Sequence, residues 1–487
     1  MNNPNIEVDK KIMSEIYIKS EPMDNLIKLC DIYESRWPGT PGDLKSVKYM
    51  VEKLKRYGIE NAHYETFKFI GWERGEAQLE LKSPLKRRLE CIELPKSLGG
   101  VVEGKLVFLG DGPIEVYEEK KDEIDGNIVM VTSRTPLGMT RSLHRSEKFM
   151  RSVLAGAKGW IFMNHYPGYG PPTGTVAPLI PAIGVSHEVG TFLKRRLDEG
   201  EVTVKIETTG KNVETETYNV VCDIPGTSET DEYLLSGSHY DGHDISQGAL
   251  DPASGTVTVM EMARVLNMVK DKLKRRIRLV CFGAEEMGLY GSYNYVLKHR
   301  DEIHNMRFML NLDSAGGEGR KGVIFNGHPE LEPVLHKIAK EVKSEMPTGQ
   351  QVSPYGDLWP FFVEGIPGGG GGDPDARQRK GGRGYGHTRY DTVDKIKLEN
   401  LRLAAANYSR FLFSIANMDD WPAEKKTEKD IAEFIKEKGY EDTIRLTKRV
   451  KEYVSKWKEI HPETKIWLET TPTEDLLAVY VPYKFNS

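Results

Sequence analysis

The run Tyr233-Leu234-Leu235-Ser236-Gly237-Ser238-His239-Tyr240-Asp241 begins as an apolar stretch of strand length and ends in a histidine and an aspartate. Two further apolar runs of strand length follow it, at 277–282 and 308–312. Between the first two, residues 256–268 carry apolar side chains at helical spacing. Strands that alternate with helices are typical of a parallel or mixed sheet. The sequence therefore predicts an α/β fold with a mixed, mostly parallel sheet flanked by helices.

Acidic residues and histidines stand where these predicted strands end, and they recur further along the chain. In an open α/β sheet, ligands bind beyond the carboxyl ends of the strands. A single histidine or aspartate at such a position is usually structural, so each segment is a weak signal alone. Together they are a much stronger signal, and in chain order the segments are Ser238-His239-Tyr240-Asp241, 248–255, Ala284-Glu285-Glu286, Asn311-Leu312-Asp313-Ser314 and Gly386-His387-Thr388.

The residue types in these segments are those that hold a pair of metal ions. A two-zinc site needs nitrogen and oxygen ligands, and one carboxylate has to bridge ions that lie about 3.5–4 Å apart. The segments offer two histidines and three carboxylates as ligands, and they leave one further glutamate to act as a base. This set of ligands is typical of a hydrolase with two zinc ions.

The composition agrees with a large globular protein that has no polyanionic partner. The chain has 487 residues, of which 38% are hydrophobic and 29% charged, and its formal net charge is −5. A chain of this length exceeds the size of a single core, so two or three domains are expected. The small net charge predicts no nucleic-acid partner, whereas it leaves a homo-oligomer open.

Cysteine usage and hydropathy predict a cytoplasmic protein. The four cysteines are widely spaced and form no Cys-x-x-Cys pair. The amino terminus has neither the basic nor the apolar region of a signal peptide. No apolar run approaches the ~20 residues of a membrane-spanning helix, so no membrane partner is expected.

Residues 75–210 differ in texture from the rest, because short β-rich runs alternate there with turns. This segment resembles the protease-associated (PA) domain, a small β-rich module that is inserted into several peptidase families. It contains no catalytic constellation of its own. We expect it to form a cover that shapes the entrance to an active site.

The five ordered segments resemble metallopeptidase family M28, which includes bacterial aminopeptidases and glutamate carboxypeptidases. The resemblance implies a zinc-exopeptidase fold with two Zn²⁺ per chain and peptide substrates. It divides the chain into an amino-terminal part of the peptidase domain (1–74), the PA-like insert (75–210), the catalytic domain (211–420) and a helical extension (421–487). The extension is expected to pack on the catalytic domain or on another subunit.

The resemblance also assigns the metal ligands. It makes Asp251 the carboxylate that bridges both ions. His239 and Asp313 would complete the first metal site, and Glu286 and His387 would complete the second.

The remaining chemistry falls to Glu285 and to two aspartates. Glu285 matches the general base, which would take a proton from the metal-bridging water and pass it to the leaving amine. Asp241 resembles the carboxylate that orients the ring of the first histidine ligand, and we expect Asp391 to serve His387 in the same way. His243, although close to His239, is expected to line the cleft and not to bind metal.

Two departures from the family pattern carry predictions. Pro252 follows the bridging aspartate, and since a cis X–Pro bond costs only ~0.5–1 kcal/mol, the Asp251–Pro252 bond is predicted to be cis. Five glycines at 368–372 are compatible with a mobile loop or with backbone close to substrate. The basic segment after them places Arg377 and Arg379 as candidate ligands for a substrate carboxylate, with a solvated basic loop as the alternative. Tyr385 and Tyr355 are candidates for stabilising the oxyanion.

The expected function is that of a hydrolase, a metallopeptidase that removes terminal residues and most simply an aminopeptidase. A carboxypeptidase of the same family is the alternative, and it is favoured if the arginine loop faces the cleft. A single-zinc glutaminyl cyclase and a non-catalytic family member are further alternatives. The presence of all five ligands and of Glu285 argues against a member that has lost its metals.

Overall fold

The computed structural model of this protein describes residues 3–139, 141–376 and 384–460, and it includes all of their side chains except those of 451 and 454–460. The helices are α1 Ile6–Ile18, α2 Pro22–Ile27, α3 Pro41–Arg56, α4 Val116–Glu119, α5 Lys121–Ile124, α6 Arg145–Leu154, α7 His187–Glu199, α8 Ser254–Asn267, α9 Tyr290–Lys298, α10 Arg300–Ile303, α11 Glu332–Glu341, α12 Leu358–Val363, α13 Leu398–Ala416, α14 Glu428–Glu437 and α15 Glu441–Ile460. The strands are β1 His63–Glu73, β2 Ala77–Ser83, β3 Arg87–Leu89, β4 Ile92–Glu93, β5 Gly100–Phe108, β6 Ile128–Thr132, β7 Gly159–Met163, β8 Ala182–Val185, β9 Thr203–Thr208, β10 Lys211–Ile224, β11 Tyr233–His239, β12 Arg276–Phe282, β13 Met306–Asn311, β14 Gly322–Phe325, β15 Thr348–Gln350 and β16 Gly368–Gly372.

An eight-stranded mixed sheet forms the first body of the chain, with the strand order β1-β10-β12-β11-β13-β16-β14-β15. Its four central strands, β12, β11, β13 and β16, run parallel to one another. Their carboxyl ends therefore meet at one edge, where the loops that follow β11, β12 and β13 begin. The expected α/β fold with a mixed sheet is confirmed.

Helix α8 packs against this sheet, and it directly follows the turn that carries Asp251. Every residue from Ser254 to Leu266 is buried, because most of the side chains are small or apolar and the two charged ones, Glu261 and Arg264, pair with each other at 2.8 Å. A single π-type turn, Ala249–Ala253, leads into it and contains the cis Asp251–Pro252 bond that the sequence predicted.

The five glycines of β16 form a strand inside this sheet, so the expectation of a mobile loop is wrong. The strand pairs in parallel with β13 and antiparallel with β14. Three of its glycines lie close to neighbouring groups. A Cβ atom would lie 2.7 Å from Leu358 at Gly368, 2.5 Å from Val323 at Gly369 and 2.5 Å from Leu312 at Gly371, whereas at the other two glycines it would meet nothing within 4 Å. At those three positions glycine is needed for close packing.

A second eight-stranded sheet forms the second body, and its strands lie between β1 and β10 along the chain. The strand order is β3-β2-β9-β5-β6-β7-β8-β4. The chain leaves the first sheet after Glu73 and returns to it at Lys211. Strands β5 to β8 are parallel, and helices α6 and α7 accompany them.

The carboxy-terminal helices contact both bodies. Ile431 and Ile435 of α14 pack with Trp359 and Phe362 of the first body, whereas Leu446 and Val450 of α15 join the core of the second. The predicted packing on the catalytic domain is therefore observed for α14, and α15 adds a contact that the sequence did not indicate. None of the helices in the described ranges is long and apolar enough to cross a membrane.

Candidate metal centre

The five predicted ligands come together at the carboxyl edge of the central strands. His239 is the last residue of β11, Glu286 follows β12, and Asp313 follows β13. Their ligand atoms fall into two groups, within each of which all atoms lie within 4.8 Å of one another. The first group is His239, Asp251 and Asp313, and the second contains Glu286 and His387.

Asp251 joins the two groups. Its Oδ1 lies 3.3 Å from His239 Nε2, and its Oδ2 lies 3.4 Å from His387 Nε2. Asp313 Oδ1 lies 3.5 Å from the same His239 nitrogen. Ligands at zinc distances on a tetrahedron are separated by about 3.3–3.5 Å, so these spacings are those of atoms around two ions that share one carboxylate.

The buried polar atoms of this cluster also call for cations. Within the described part of the chain, neither His239 Nε2 nor Glu286 Oε1 has a hydrogen-bond partner, although both are buried. Buried polar atoms are almost always satisfied, so such orphans need an explanation. Burial opposes a charge on His239, yet the carboxylates around it, Glu285 first, raise its pKa well above its usual value. Two divalent ions would satisfy these atoms and balance this negative charge.

The structure adds a residue that the sequence reasoning set aside. His243 belongs to the second group, with Nε2 2.9 Å from Glu286 Oε2 and its ring 4.4 Å from the ring of His387. His243 was expected to line the cleft, whereas the structure places it in a group of side chains that could hold a metal ion. A spacing of four residues after His239 was the only signal in the sequence.

Glu285, the predicted base, stands directly before the ligand Glu286 in the turn after β12. Burial raises the pKa of its carboxyl well above the usual value, and the neighbouring carboxylates Glu286, Asp357 and Asp313 raise it further, whereas His239 lowers it. Ala284, which precedes it, has a φ of 58°. This tight turn aims two consecutive carboxylates at the same centre.

Asp241 holds that turn in place, which differs from its predicted role. Its Oδ1 and Oδ2 accept hydrogen bonds from the backbone amides of Glu285 at 3.0 Å and Glu286 at 3.2 Å. The His239 ring nitrogen Nδ1 contacts the main-chain carbonyl of Asp241 at 3.0 Å, whereas the carboxylate lies 3.7 Å away. The imidazole is therefore oriented chiefly by the Asp241 backbone, and the carboxylate braces the base and its neighbour.

Asp391 plays the same part for the bridging aspartate. Its two carboxylate oxygens accept hydrogen bonds from the backbone amides of Leu250 at 2.8 Å and Asp251 at 3.0 Å. The carboxylate thus satisfies two consecutive amides of the irregular turn that carries Asp251. The predicted pairing of Asp391 with the His387 ring stays a prediction.

Arg36 is a residue that the sequence reasoning missed. Its fully buried guanidinium donates hydrogen bonds to the carbonyls of Tyr240 at 2.7 Å, Gln247 at 2.8 Å and Gly248 at 3.0 Å. It thereby pins both ends of the loop between His239 and Asp251. Nothing in the turn that contains Arg36 distinguishes it in the sequence, because these three partners lie more than 200 residues away.

A loop of the second body contributes to the site. The backbone amide of Thr173 donates to the carbonyl of His387 at 2.8 Å, and the Thr175 hydroxyl donates to the carbonyl of Glu286 at 2.5 Å. Both threonines are buried. The segment that was expected to cover the site therefore also holds the backbone of two metal ligands.

The proposed substrate-binding residues have different outcomes. The Tyr355 hydroxyl donates a hydrogen bond to the Glu147 carboxylate at 2.6 Å. The same carboxylate accepts hydrogen bonds from the Arg141 guanidinium at 2.8 and 2.9 Å and from the Thr443 hydroxyl at 3.2 Å. This tyrosine therefore belongs to a buried network between the two bodies and α15. Tyr385 lies two residues before His387, and its predicted role stays a prediction. Arg377 and Arg379 lie outside the described residues.

Opposite charges flank the two ends of the centre. Asp357 is a buried carboxylate near Glu285, Asp313 and the Ser292 hydroxyl, and within the described ranges neither of its oxygens makes a well-formed hydrogen bond. On the other side Arg145, whose Nε donates to the Thr175 carbonyl at 3.1 Å, lies close to His243. Burial and this cation together lower the pKa of His243 to about 3, so its imidazole is neutral.

The centre opens to solvent between two of its ligands. The side chains of Asp313 and His387 are 34% and 28% exposed, whereas those of His239, Asp251 and Glu286 are no more than 5% exposed. The candidate metal-binding groups are therefore accessible from the side of Asp313 and His387.

Two family models match this chain. Residues 219–412 match the model of peptidase family M28, and residues 102–193 match that of the PA domain. The first range includes every residue of the two metal-binding groups. The second falls within the second sheet.

Known proteins with similar sequences or folds are named as peptidases. Human carboxypeptidase Q is 24% identical over 414 residues, which cover 82% of this chain and 85% of that protein. A peptidase M28 precursor from Shewanella amazonensis shares the fold, with a TM-score of 0.74 at 23% identity over 87% of this chain and 99% of its own. A zinc aminopeptidase from Bacillus subtilis has a TM-score of 0.64 at 22% identity, covering 84% and 98% of the two chains.

Proposed function

We propose, on the premise that residues 219–412 of this chain belong to peptidase family M28, that the protein is a zinc-dependent exopeptidase and acts chiefly as an aminopeptidase. The observation that carries the proposal is the position of Asp251. Its two oxygens face His239 and His387 at 3.3 and 3.4 Å, as a carboxylate shared by two ions must. Two Zn²⁺ per chain would be held by the five ligands His239, Asp251, Glu286, Asp313 and His387.

Zinc in such a site lowers the pKa of water to near 7 and polarises the carbonyl of the scissile bond. Glu285 accepts the proton of the attacking water and delivers it to the nitrogen of the leaving amine. A raised pKa suits a group that must both accept and return a proton near neutral pH. Asp241 holds the backbone of Glu285 and so fixes the position of the carboxylate during both transfers.

A buried carboxyl group beside the first metal group supports the aminopeptidase assignment. Asp357 is buried close to Glu285 and Asp313, and burial raises the pKa of its carboxyl to about 7, so a cation beside it would favour the ionised form. A free α-amino group carries the positive charge that complements this carboxylate. A substrate placed with its amino terminus there presents its first peptide bond to Glu285.

A carboxypeptidase is the second candidate, and Arg145 favours it. This arginine lies near His243, at the second metal group, and a guanidinium binds a terminal carboxylate in a fork geometry. Human carboxypeptidase Q, which is similar over most of the chain, carries that activity in its name. The two candidates differ in which end of the peptide must be free.

Paired substrates blocked at one end distinguish these two candidates. The zinc-loaded protein is assayed with a peptide amide that has a free amino terminus and with an N-acylated peptide that has a free carboxylate. Cleavage of the first alone supports the aminopeptidase, cleavage of the second alone supports the carboxypeptidase, and cleavage of neither contradicts the exopeptidase proposal. Glu285→Gln is the matched control, because any true turnover must disappear in it.

Metal analysis separates the remaining alternatives. About two zinc ions per chain are expected, whereas a single ion would favour the glutaminyl cyclase and none would favour a non-catalytic member. Peptides are the proposed substrates, and the cytoplasm remains the predicted location.

A further inference from the structure

We infer that His243 is a fourth protein ligand of the metal ion held by Glu286, His387 and Asp251. This inference rests on the proposed two-metal function and deepens it. It makes the two metal sites unequal, because the first would have three protein ligands and the second four.

The geometry around His243 is that of a ligand. Its Nε2 lies 2.9 Å from Glu286 Oε2, and all three ligand atoms of His243, Glu286 and His387 lie within 4.8 Å of one another. The His387 Nε2 atom lies 4.0 Å from Glu286 Oε1, so the two spacings lie on either side of the ~3.3–3.5 Å that separates the ligands of a tetrahedral zinc ion. An ion between the three atoms would be at coordination distance from each after small side-chain rotations.

No hydrogen bond explains why this imidazole is buried. The side chain is 3% exposed, and within the described part of the chain neither ring nitrogen has a hydrogen-bond partner. The contact with Glu286 is close but lacks the alignment of a hydrogen bond. A polar ring with two unsatisfied nitrogens is costly to bury, and a metal ion removes that cost for the nitrogen that faces Glu286.

The surroundings hold the ring in position before any ion arrives. The Trp37 ring lies 6.2 Å from the His243 ring, and the His387 ring meets it edge-on at 4.4 Å. The Thr175 hydroxyl fixes the Glu286 backbone, and the Thr173 amide fixes that of His387. All three ligands of this group are therefore anchored outside the metal centre.

Unequal ligand numbers imply unequal roles. With His243, the second ion has four protein ligands, which is the closed arrangement of tightly held structural zinc. The first ion has only His239, Asp251 and Asp313 and keeps an open position, as catalytic zinc does. We therefore expect the ion at His243 to bind first and more tightly, and the ion at Asp313 to bind second and to exchange more readily.

His243→Gln tests the inference in the full-length protein, with His328→Gln as the matched control. His328 is also a buried histidine of the first body, but its ring pairs with Glu330 at 2.7 Å away from the metal centre. Apo-protein is titrated with Co²⁺, followed by visible absorption, and with Zn²⁺, followed by calorimetry. We expect two binding events in the wild type and in His328→Gln, and a loss of at least about tenfold in the tighter event alone in His243→Gln.

Two unchanged binding events in a folded His243→Gln protein would overturn the inference while leaving the two-metal function intact. Fewer than two events in the wild type would instead contradict the proposed function itself. If the variant does not fold, X-ray absorption of the wild type with one equivalent of zinc decides the question. Two imidazoles per zinc support the inference, and one imidazole refutes it.

Discussion

Replacing Asp241 by asparagine keeps the shape of the side chain and removes one of its two acceptors. The aspartate is fully buried, and its carboxylate accepts hydrogen bonds from the backbone amides of Glu285 and Glu286 at 3.0 and 3.2 Å. An asparagine can accept from only one of these amides and turns an NH₂ donor towards the other. The turn that carries both the base and a metal ligand must then move.

The size of the effect follows from these two contacts. A hydrogen bond to a charged group contributes about 1.5–3 kcal/mol, and an unsatisfied buried amide costs about 1–3 kcal/mol, so Asp241→Asn should destabilise the apo-protein by about 2–4 kcal/mol. Displacement of Glu285 should lower kcat by about 10²-fold, since partners that orient a metal site are worth 10–100-fold.

Asp391→Asn is the matched comparison. Asp391 likewise holds two consecutive amides, those of Leu250 and Asp251, at 2.8 and 3.0 Å. Its loss should cost similar stability, but it acts on the bridging ligand. We therefore expect Asp391→Asn to weaken metal binding and to recover activity with added zinc more fully than Asp241→Asn does.

Urea unfolding with chelator gives the stability of each apo-protein, and turnover is measured over a zinc series. If Asp241→Asn kept the wild-type kcat at saturating zinc, the hydrogen bond between Asp241 and the Glu285 amide would not contribute to catalysis. The same conclusion would follow if zinc rescued both variants equally.

Three further predictions concern other residues. Glu285→Gln should bind two metals with near wild-type affinity yet lose about 10²–10⁴-fold in kcat, and near-normal activity would exclude Glu285 as the base. Thr175→Val removes the hydroxyl that donates to the Glu286 carbonyl, and it should lower the stability by about 1–2 kcal/mol and weaken zinc binding, whereas unchanged zinc affinity would confine the role of this loop to folding. Burial lowers the pKa of Lys148 from its usual value to about 8. Above that pH the folded protein has lost the proton of this amine, whereas the unfolded chain still binds it. Between pH 8 and 10.5, the free energy of unfolding of the wild type, measured in urea, should therefore rise by about 3 kcal/mol relative to that of Lys148→Met. If the two free energies changed with pH in parallel, this prediction would be wrong.

Reasoning from residue spacing worked where the chemistry is local in the chain. Apolar runs marked β11, β12 and β13, and each ended in a residue that the structure brings to the metal centre. Because the carboxyl ends of parallel strands meet at one edge, a correct assignment of strands was enough to predict which ligands converge. The cis bond at Pro252 was likewise predicted from two adjacent residues.

The same reasoning failed where composition and packing disagree. Five glycines indicate mobility in isolation, but they form a paired strand, and at three of them Leu358, Val323 and Leu312 leave no room for a side chain. Propensity describes a chain in water, whereas the space left by neighbouring side chains decides what fits inside a sheet.

The sequence by itself determined the α/β class and predicted the five ligands and the base, because these depend on periodicity and on residue types at strand ends. Only the tertiary structure decided what supports them: the Arg36 contacts with Tyr240 and Gly248, the Thr175 contact with Glu286, and the amides that Asp241 and Asp391 hold. It also brought His243 next to Glu286 and His387, in a group that could hold a metal ion. Such contacts join residues tens to hundreds of positions apart or depend on where a side chain points, and hydrogen bonding of that kind leaves no periodic trace in a single chain.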